Sequence, residues 1–129
     1  MDTKPYQITV DPDRKLVTMS FDPLFWDDGV STCFVRDCIG AVASLACDPT
    51  QLLILVDLRH AVLQSKDVYD RMLGLIAAAT ARRIALVAAA PLARMQTKRL
   101  QVRDNVVMFE DLSTAEDWLF GDADVAAAA

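Results

Sequence analysis

Glycine is scarce in this chain: there are four among 129 residues, Gly29, Gly40, Gly74 and Gly121, each standing alone. A dinucleotide-binding turn and a phosphate-binding loop both need closely spaced glycines after a strand, so nucleotide binding by either route is excluded. Histidine is scarcer still, with His60 the single one, and cysteine is present as three residues, Cys33, Cys38 and Cys47, with no Cys-x-x-Cys pair. An odd number of thiols in a chain long enough to fold without staples reads as reduced cysteine. Cys33 and Cys38 are five positions apart, which does not place them on one helix face, so no metal site is expected there. No Gly-x-Ser-x-Gly elbow surrounds any serine, and no Cys/His pair has an orienting third group. The chain is therefore expected not to be an enzyme, with no catalytic residue and no cofactor.

Long apolar runs are missing as well. The longest windows, Leu73 to Ala81 and Ile84 to Ala93, reach about half of the roughly 20 residues a membrane span requires, and Gly74 and Pro91 interrupt them. The opening Met1-Asp2-Thr3-Lys4-Pro5 is polar and is not followed by a signal-type apolar stretch, which predicts a cytoplasmic protein without a membrane span.

What is present is a globular composition, 53% hydrophobic and 24% charged, in a length that suits one domain over 1–129 with a core over about 5–120. The tail 121–129, and Ala126 to Ala129 above all, has nothing to bury against and is expected to fray. The net charge of −5 argues against a nucleic-acid partner. Its distribution is uneven: residues 81–103 carry six basic side chains and no acid, and 104–129 carry seven acids and no base. Two solvated faces that complement each other are the reading favoured over a binding stripe.

Alternation over Tyr6 to Val10, a turn at Asp11-Pro12-Asp13-Arg14-Lys15 and resumed apolar positions from Leu16 to Phe21 predict a hairpin. Val30, Phe34, Cys38, Ala41/Val42 and Leu45 recur at helical spacing and predict a helix over about 27–46, stopped by Asp48-Pro49. Leu52 to Leu58 is a continuous apolar run, the pattern of a strand covered on both faces. Ser65 stands where a cap belongs before a helix over about 66–80. Arg83 to Ala88 reads as another buried strand, and Pro91 as the first residue of a helix with Leu92, Met95 and Leu100 inward and Arg94, Lys98 and Arg99 outward. Val106 to Phe109 is a last strand, and Ser113-Thr114-Ala115-Glu116 a capping box before Trp118-Leu119, with Gly121 as the stop. The order β-β-α-β-α-β-α-β-α predicts an α/β fold with a mixed, mostly parallel sheet of about five strands and about four helices.

In an open parallel sheet ligands gather at the carboxyl ends of the strands, which directs attention to Asp57, Arg59 and His60, to Ala88 to Pro91, and to Glu110 and Asp111. Neighbours on an extended segment point to opposite sides, so Asp57, Arg59 and His60 do not converge as a unit, and His60 reads as a surface-loop residue. The helix after Pro91, with Arg94, Lys98 and Arg99, is a candidate anion site. Met72, Met95, Met108, Trp26 and Trp118 are candidate lining for an apolar pocket, though their spacing fits plain core better.

Phe25-Trp26 before the first helix, Val56-Asp57-Leu58-Arg59 ending the central strand, Ser65 opening the second helix, Arg82 to Val87, Leu92 to Gln96, Val107-Met108-Phe109 and Ala115 to Leu119 together resemble the STAS superfamily, and within it the small bacterial SpoIIAA-like single-domain proteins. The resemblance covers about residues 5–120. It implies a two-layer sandwich and a regulatory or protein-interaction role. In anti-sigma factor antagonists of this superfamily an Asp-Ser-Ser-Gly turn carries a serine that a partner kinase phosphorylates. Asp57-Leu58 matches the strand end that precedes it, but Ser65 falls on the Asp of the turn and Lys66 and Asp67 fall on its serines. By that alignment the phosphorylatable residue is absent; a shift of one residue brings Ser65 onto it, and helix capping is the simpler role. The expected partner surface is Asp57, Arg59, His60, Ser65, Lys66 and Asp67, facing a protein partner or a second copy in a homodimer. The topology also resembles CRAL-TRIO lipid-transfer domains, which implies as the alternative an apolar small ligand between helices and sheet, sought between the helix after Ser65 and the helix after Pro91.

Overall fold

The computed structural model describes residues 4–121, so the tail expected to fray lies, apart from Gly121, outside the described residues. Strands β1 (Tyr6–Asp11) and β2 (Leu16–Phe21) pair antiparallel. Asp11 Oδ1 accepts from the backbone N–H groups of Asp13 at 3.1 Å and Arg14 at 3.3 Å, the Asx turn that its side chain favours, and Lys15 closes the reversal at φ 55°. β3 (Leu53–Asp57), β4 (Arg83–Val87) and β5 (Val106–Phe109) follow, each parallel to the one before, in the order β1-β2-β3-β4-β5. Helix α1 (Asp28–Leu45) joins β2 to β3, α2 (Lys66–Ala78) joins β3 to β4, and α3 (Pro91–Thr97), prolonged by a 3-10 turn at Lys98–Leu100, joins β4 to β5. Helix α4 (Leu112–Phe120) ends the described chain.

Every residue of β3 and β4 is buried because both faces of the sheet are covered. Ile54, Val56, Ile84 and Leu86 pack with Phe34, Cys38, Val68, Ile76 and Leu100 of the α1 to α3 side. Leu53, Leu55, Ala85 and Val87 pack with Ala115 and Leu119 of α4. The expected two layers are the sheet and α1 to α3; α4 lies on the opposite face and adds a partial third.

Three of the helix starts are capped by side chains. Asp27 Oδ1 accepts from Val30 N at 2.8 Å and Ser65 Oγ from Val68 N at 3.3 Å, as the residue types suggest. The cap of α4 is Asp111, whose Oδ1 accepts from Thr114 N at 2.8 Å and from its hydroxyl at 2.9 Å. Ser113 lies inside the helix, so the expected capping box starts two residues late; an aspartate at the true boundary reaches the same free N–H groups.

The basic block serves carbonyls more than carboxylates. Arg83, buried in β4, donates to the backbone oxygens of Trp118 at 2.5 Å and Gly121 at 2.7 Å, with its guanidinium 5.4 Å from the Trp118 ring. Arg103 donates to the Ile76, Ala77 and Ala79 carbonyls at 2.8 to 3.0 Å and closes the C-terminus of α2. Arg94 and Glu110 join the basic and acidic blocks at 3.7 Å.

On the α1 side the Trp26 ring lies 5.0 Å from Phe34, 5.5 Å from Tyr6 and 5.7 Å from Phe21. Asp37 of α1 accepts from the Tyr6 hydroxyl at 2.6 Å and from Lys4 at 2.8 Å, which ties β1 to the helix above it. The expected phase of α3 is overturned at two of its three inward positions: Leu92 and Met95 are 65% and 69% exposed, whereas Leu100 is buried as expected, together with Thr97, and Ala93 packs beside them. Two helical turns are too short for apolar spacing to fix a face, and positions 93, 97 and 100 follow the helical period equally well. Phe34→Ala is expected to lower the unfolding free energy by about 3–5 kcal/mol, whereas Met95→Ala stays within about 0.5 kcal/mol of the parent; urea unfolding of the two variants measures both.

Candidate functional site

The parallel strands β2 to β5 deliver their carboxyl ends to one rim of the sheet, where the loops before α1 and α2 meet. Gln64 holds these loops together: its Nε2 donates to Leu24 O at 2.9 Å and its Oε1 accepts from Trp26 N at 2.8 Å. The strap lifts Leu24 and Phe25 (55% and 68% exposed) beside Val62 and Leu63 (39% and 48%). Val62, Leu63 and Gln64 share with Ala93 and Gln96 of α3 a cavity of about 50 Å³, and the hydroxyl of Tyr69 donates to Gln96 O, joining α2 to α3. The space between α2 and α3, where the alternative reading sought an apolar pocket, is thus close to filled. The rim is a row of exposed apolar side chains on anchored loops, and no spacing in the sequence marks Gln64, whose partners lie 38 and 40 residues away.

The six residues of the expected partner surface fall into two groups. Along β3 the side chains alternate, so Leu53, Leu55 and Asp57 face the α4 side while Ile54 and Val56 face α1 to α3. The expectation that Asp57 and Arg59 do not converge is overturned, because residues two apart on an extended segment share a side: Arg59 Nε and Nη2 each donate at 2.9 Å, one to each carboxylate oxygen, and Arg59 N donates to Oδ1 at 3.1 Å, which closes the pair. His60 is exposed beside them. Ser65, Lys66 and Asp67 start α2 on the other face; Ser65 is occupied as the cap, and Lys66 pairs with Asp70 at 2.7 Å. The carboxylate of Asp57 therefore does not meet the start of α2.

Arg94, Lys98 and Arg99 do not converge either. Arg94 donates to Ala88 O at 3.0 Å, and Lys98 and Arg99 lie in the 3-10 turn at the far end of α3 from Pro91, where cations complement the helix dipole. Of the candidate pocket residues, Trp26 belongs to the α1-side core and Met72 and Met108 pack against it, Trp118 packs on Phe109 of the opposite face at 5.5 Å, and Met95 is exposed. Among the described residues no three His, Cys, Asp or Glu side chains gather, and no helix is long and apolar enough to cross a membrane.

Burial raises the Asp57 carboxyl, but the side-chain and backbone hydrogen bonds from Arg59 and the charge of Arg59 outweigh it, so its pKa is held below the usual carboxylate value. A carboxyl held low in the folded state stabilises the fold above its unfolded pKa, and this contribution is lost as pH falls through the folded value. Asp57→Asn is expected to reduce stability at pH 7 by about 1–2 kcal/mol, given that Arg59 is partly in solvent. The difference from the parent should persist down to about pH 4 and shrink below it, as read by urea unfolding across pH.

The chain matches no family model and no curated protein. Among solved structures it is similar to an uncharacterised protein with a SpoIIAA-like fold from Shewanella loihica, with 17% identity, a TM-score of 0.68 and coverage of 92% of this chain and 97% of the other. It is also similar to an anti-sigma factor antagonist from Mycobacterium paratuberculosis, with 15% identity, a TM-score of 0.60 and the same coverage of 92% and 97%. The mostly parallel five-stranded sheet, its four helices and these two superpositions give the chain a SpoIIAA-like fold.

Proposed function

We propose that this protein is a regulatory domain without enzymatic activity that works by docking a protein partner on the rim of its sheet. The observation that carries this reading is the strapped apolar row of Leu24, Phe25, Val62 and Leu63, held by both ends of the Gln64 amide. Exposed apolar side chains on a preorganised support lose little conformational freedom on binding, which is what an interface anchor needs. Arg59 and His60 on one flank and Lys66 and Asp67 on the other supply a polar border. The anti-sigma factor antagonist among the similar structures is, by its name, a protein that acts on another protein, and this supports a protein as the occupant.

The surface is constant, not switched. Ser65 is engaged as a cap, and in the alignment that the resemblance implies without a shift Lys66 and Asp67 fall on the serines of the superfamily's turn. The partner is a different protein, and the chain alone is expected to sediment as a monomer. Phe25→Ser combined with Leu63→Ser should weaken that partner about 30-fold, the value of a 2 kcal/mol anchor, and Gln64→Ala should weaken it through the loops it holds. The partner is isolated by photocrosslinking from position 25 and its affinity then measured by calorimetry. Unchanged affinity in the double variant overturns the rim as the docking site, and a wild-type dimer that Phe25→Ser dissociates replaces the foreign partner with a second copy.

A further inference from the structure

A largely apolar space lies away from the rim. Between α1 and α2 a cleft of about 480 Å³ descends to the sheet. Its floor is Met19, Ile54, Val56 and Ile84, one wall runs along α1 from Phe34 to Ala43, and the other along α2 from Met72 to Ala79. Arg71 draws the helices together near their starts, donating to Ser31 Oγ at 3.0 Å and Thr32 Oγ1 at 2.8 Å. Toward their C-terminal ends small residues, Ala43 on one side and Ala78 and Ala79 on the other, let the gap open, with Cys47, Pro49 and Thr80 at its mouth.

The lining decides what fits. It contains no Asp, Glu, Lys, Arg or His, and its polar side chains are Thr80 and the thiols of Cys38 and Cys47. Burial pushes the Cys38 thiol up to about 12, so it stays uncharged at neutral pH. A charged group placed here would lose its hydration without a partner, which excludes carboxylates and phosphates from the interior. The shape excludes a polypeptide: a helix with side chains is about 10 Å across, too wide to reach a sheet floor between two helices that Arg71 joins at one end. A slender hydrocarbon meets both limits, and the volume falls in the range of roughly 300–1,000 Å³ typical of small-molecule sites. At the mouth, the last turn of α1 carries no basic residue, so the partial negative charge of its terminal carbonyls favours a hydrogen-bond donor over an anion.

We infer that the cleft between α1 and α2 is a binding site for a neutral single-chain hydrocarbon ligand, with an uncharged donor such as a hydroxyl at the mouth beside Thr80. This site is separate from the rim and does not depend on the docking reading. The probe is N-phenyl-1-naphthylamine, a neutral dye whose fluorescence rises in apolar surroundings, titrated into the full chain and then displaced by 1-tetradecanol or by tetradecanoate at pH 8. The wild-type protein should bind the dye, and tetradecanol should displace it at a concentration at least tenfold lower than tetradecanoate. Ala43→Phe and Ala78→Phe, at exposed helix positions that border the opening, should each reduce dye binding at least tenfold, and either one that keeps the parent's circular dichroism suffices. Phe25→Ser, on the rim, should leave dye binding unchanged. Absence of dye binding by the wild type, or binding that survives a folded cleft-filling variant, overturns the site; displacement by the carboxylate as readily as by the alcohol overturns the neutral headgroup.

Discussion

The handedness of parallel crossovers governs this molecule. β2, β3, β4 and β5 follow one another in chain order, and the right-handed rule for connections between parallel neighbours sends successive helices to the same face, where α1 to α3 lie. Strands sit about 4.8 Å apart, whereas packed helices need 8 to 10 Å between axes. Three helices therefore cannot each stand over the strand pair they connect. The layer spreads: α1 lies over β1, where Tyr6 meets Phe34 and Asp37, and α3 is cut to two turns. The gap between α1 and α2 is the place where this mismatch is left unfilled, and the small side chains there permit it.

The opposite face has no crossover helix of its own. It is covered by α4, which packs against β3, β4 and β5 and against Leu16 at the start of β2, and leaves the rest of the β1 and β2 side to Gln7, Thr9, Thr18 and Ser20. Sequence pattern follows this division closely. The unbroken apolar runs at Leu53 to Val56 and Ile84 to Val87 belong to strands covered twice, and the alternation at Tyr6 to Val10 belongs to a strand covered once.

Elements with a strong local cause were legible in the sequence: the hairpin from Asp11, the helix started by Ser65, the buried strands from their continuous apolar character. The rim was located by strand polarity, but its chemistry was not. In a run where every residue is buried, the face on which Asp57 lies cannot be read from its neighbours, so its separation from Ser65 emerged only in three dimensions. Gln64 looks like any loop glutamine until both ends of its amide meet backbone groups of a distant loop. α3 is too short for periodicity to choose between two faces, and the cleft arises from helix spacing, a property of the whole layer and of no single segment.

Arg83 bears on how the chain reaches this state. Because every strand's neighbours in the sheet are its neighbours in sequence, a growing chain can add one strand at a time from β1 onward. The exception is the α4 side of β4, where the guanidinium of Arg83 finds the carbonyls of Trp118 and Gly121 only after nearly all of the described chain has been made. These carbonyls and the α4 cover come last in the described chain, so a nascent chain that stops short of Trp118 keeps one face of its central strands turned to water.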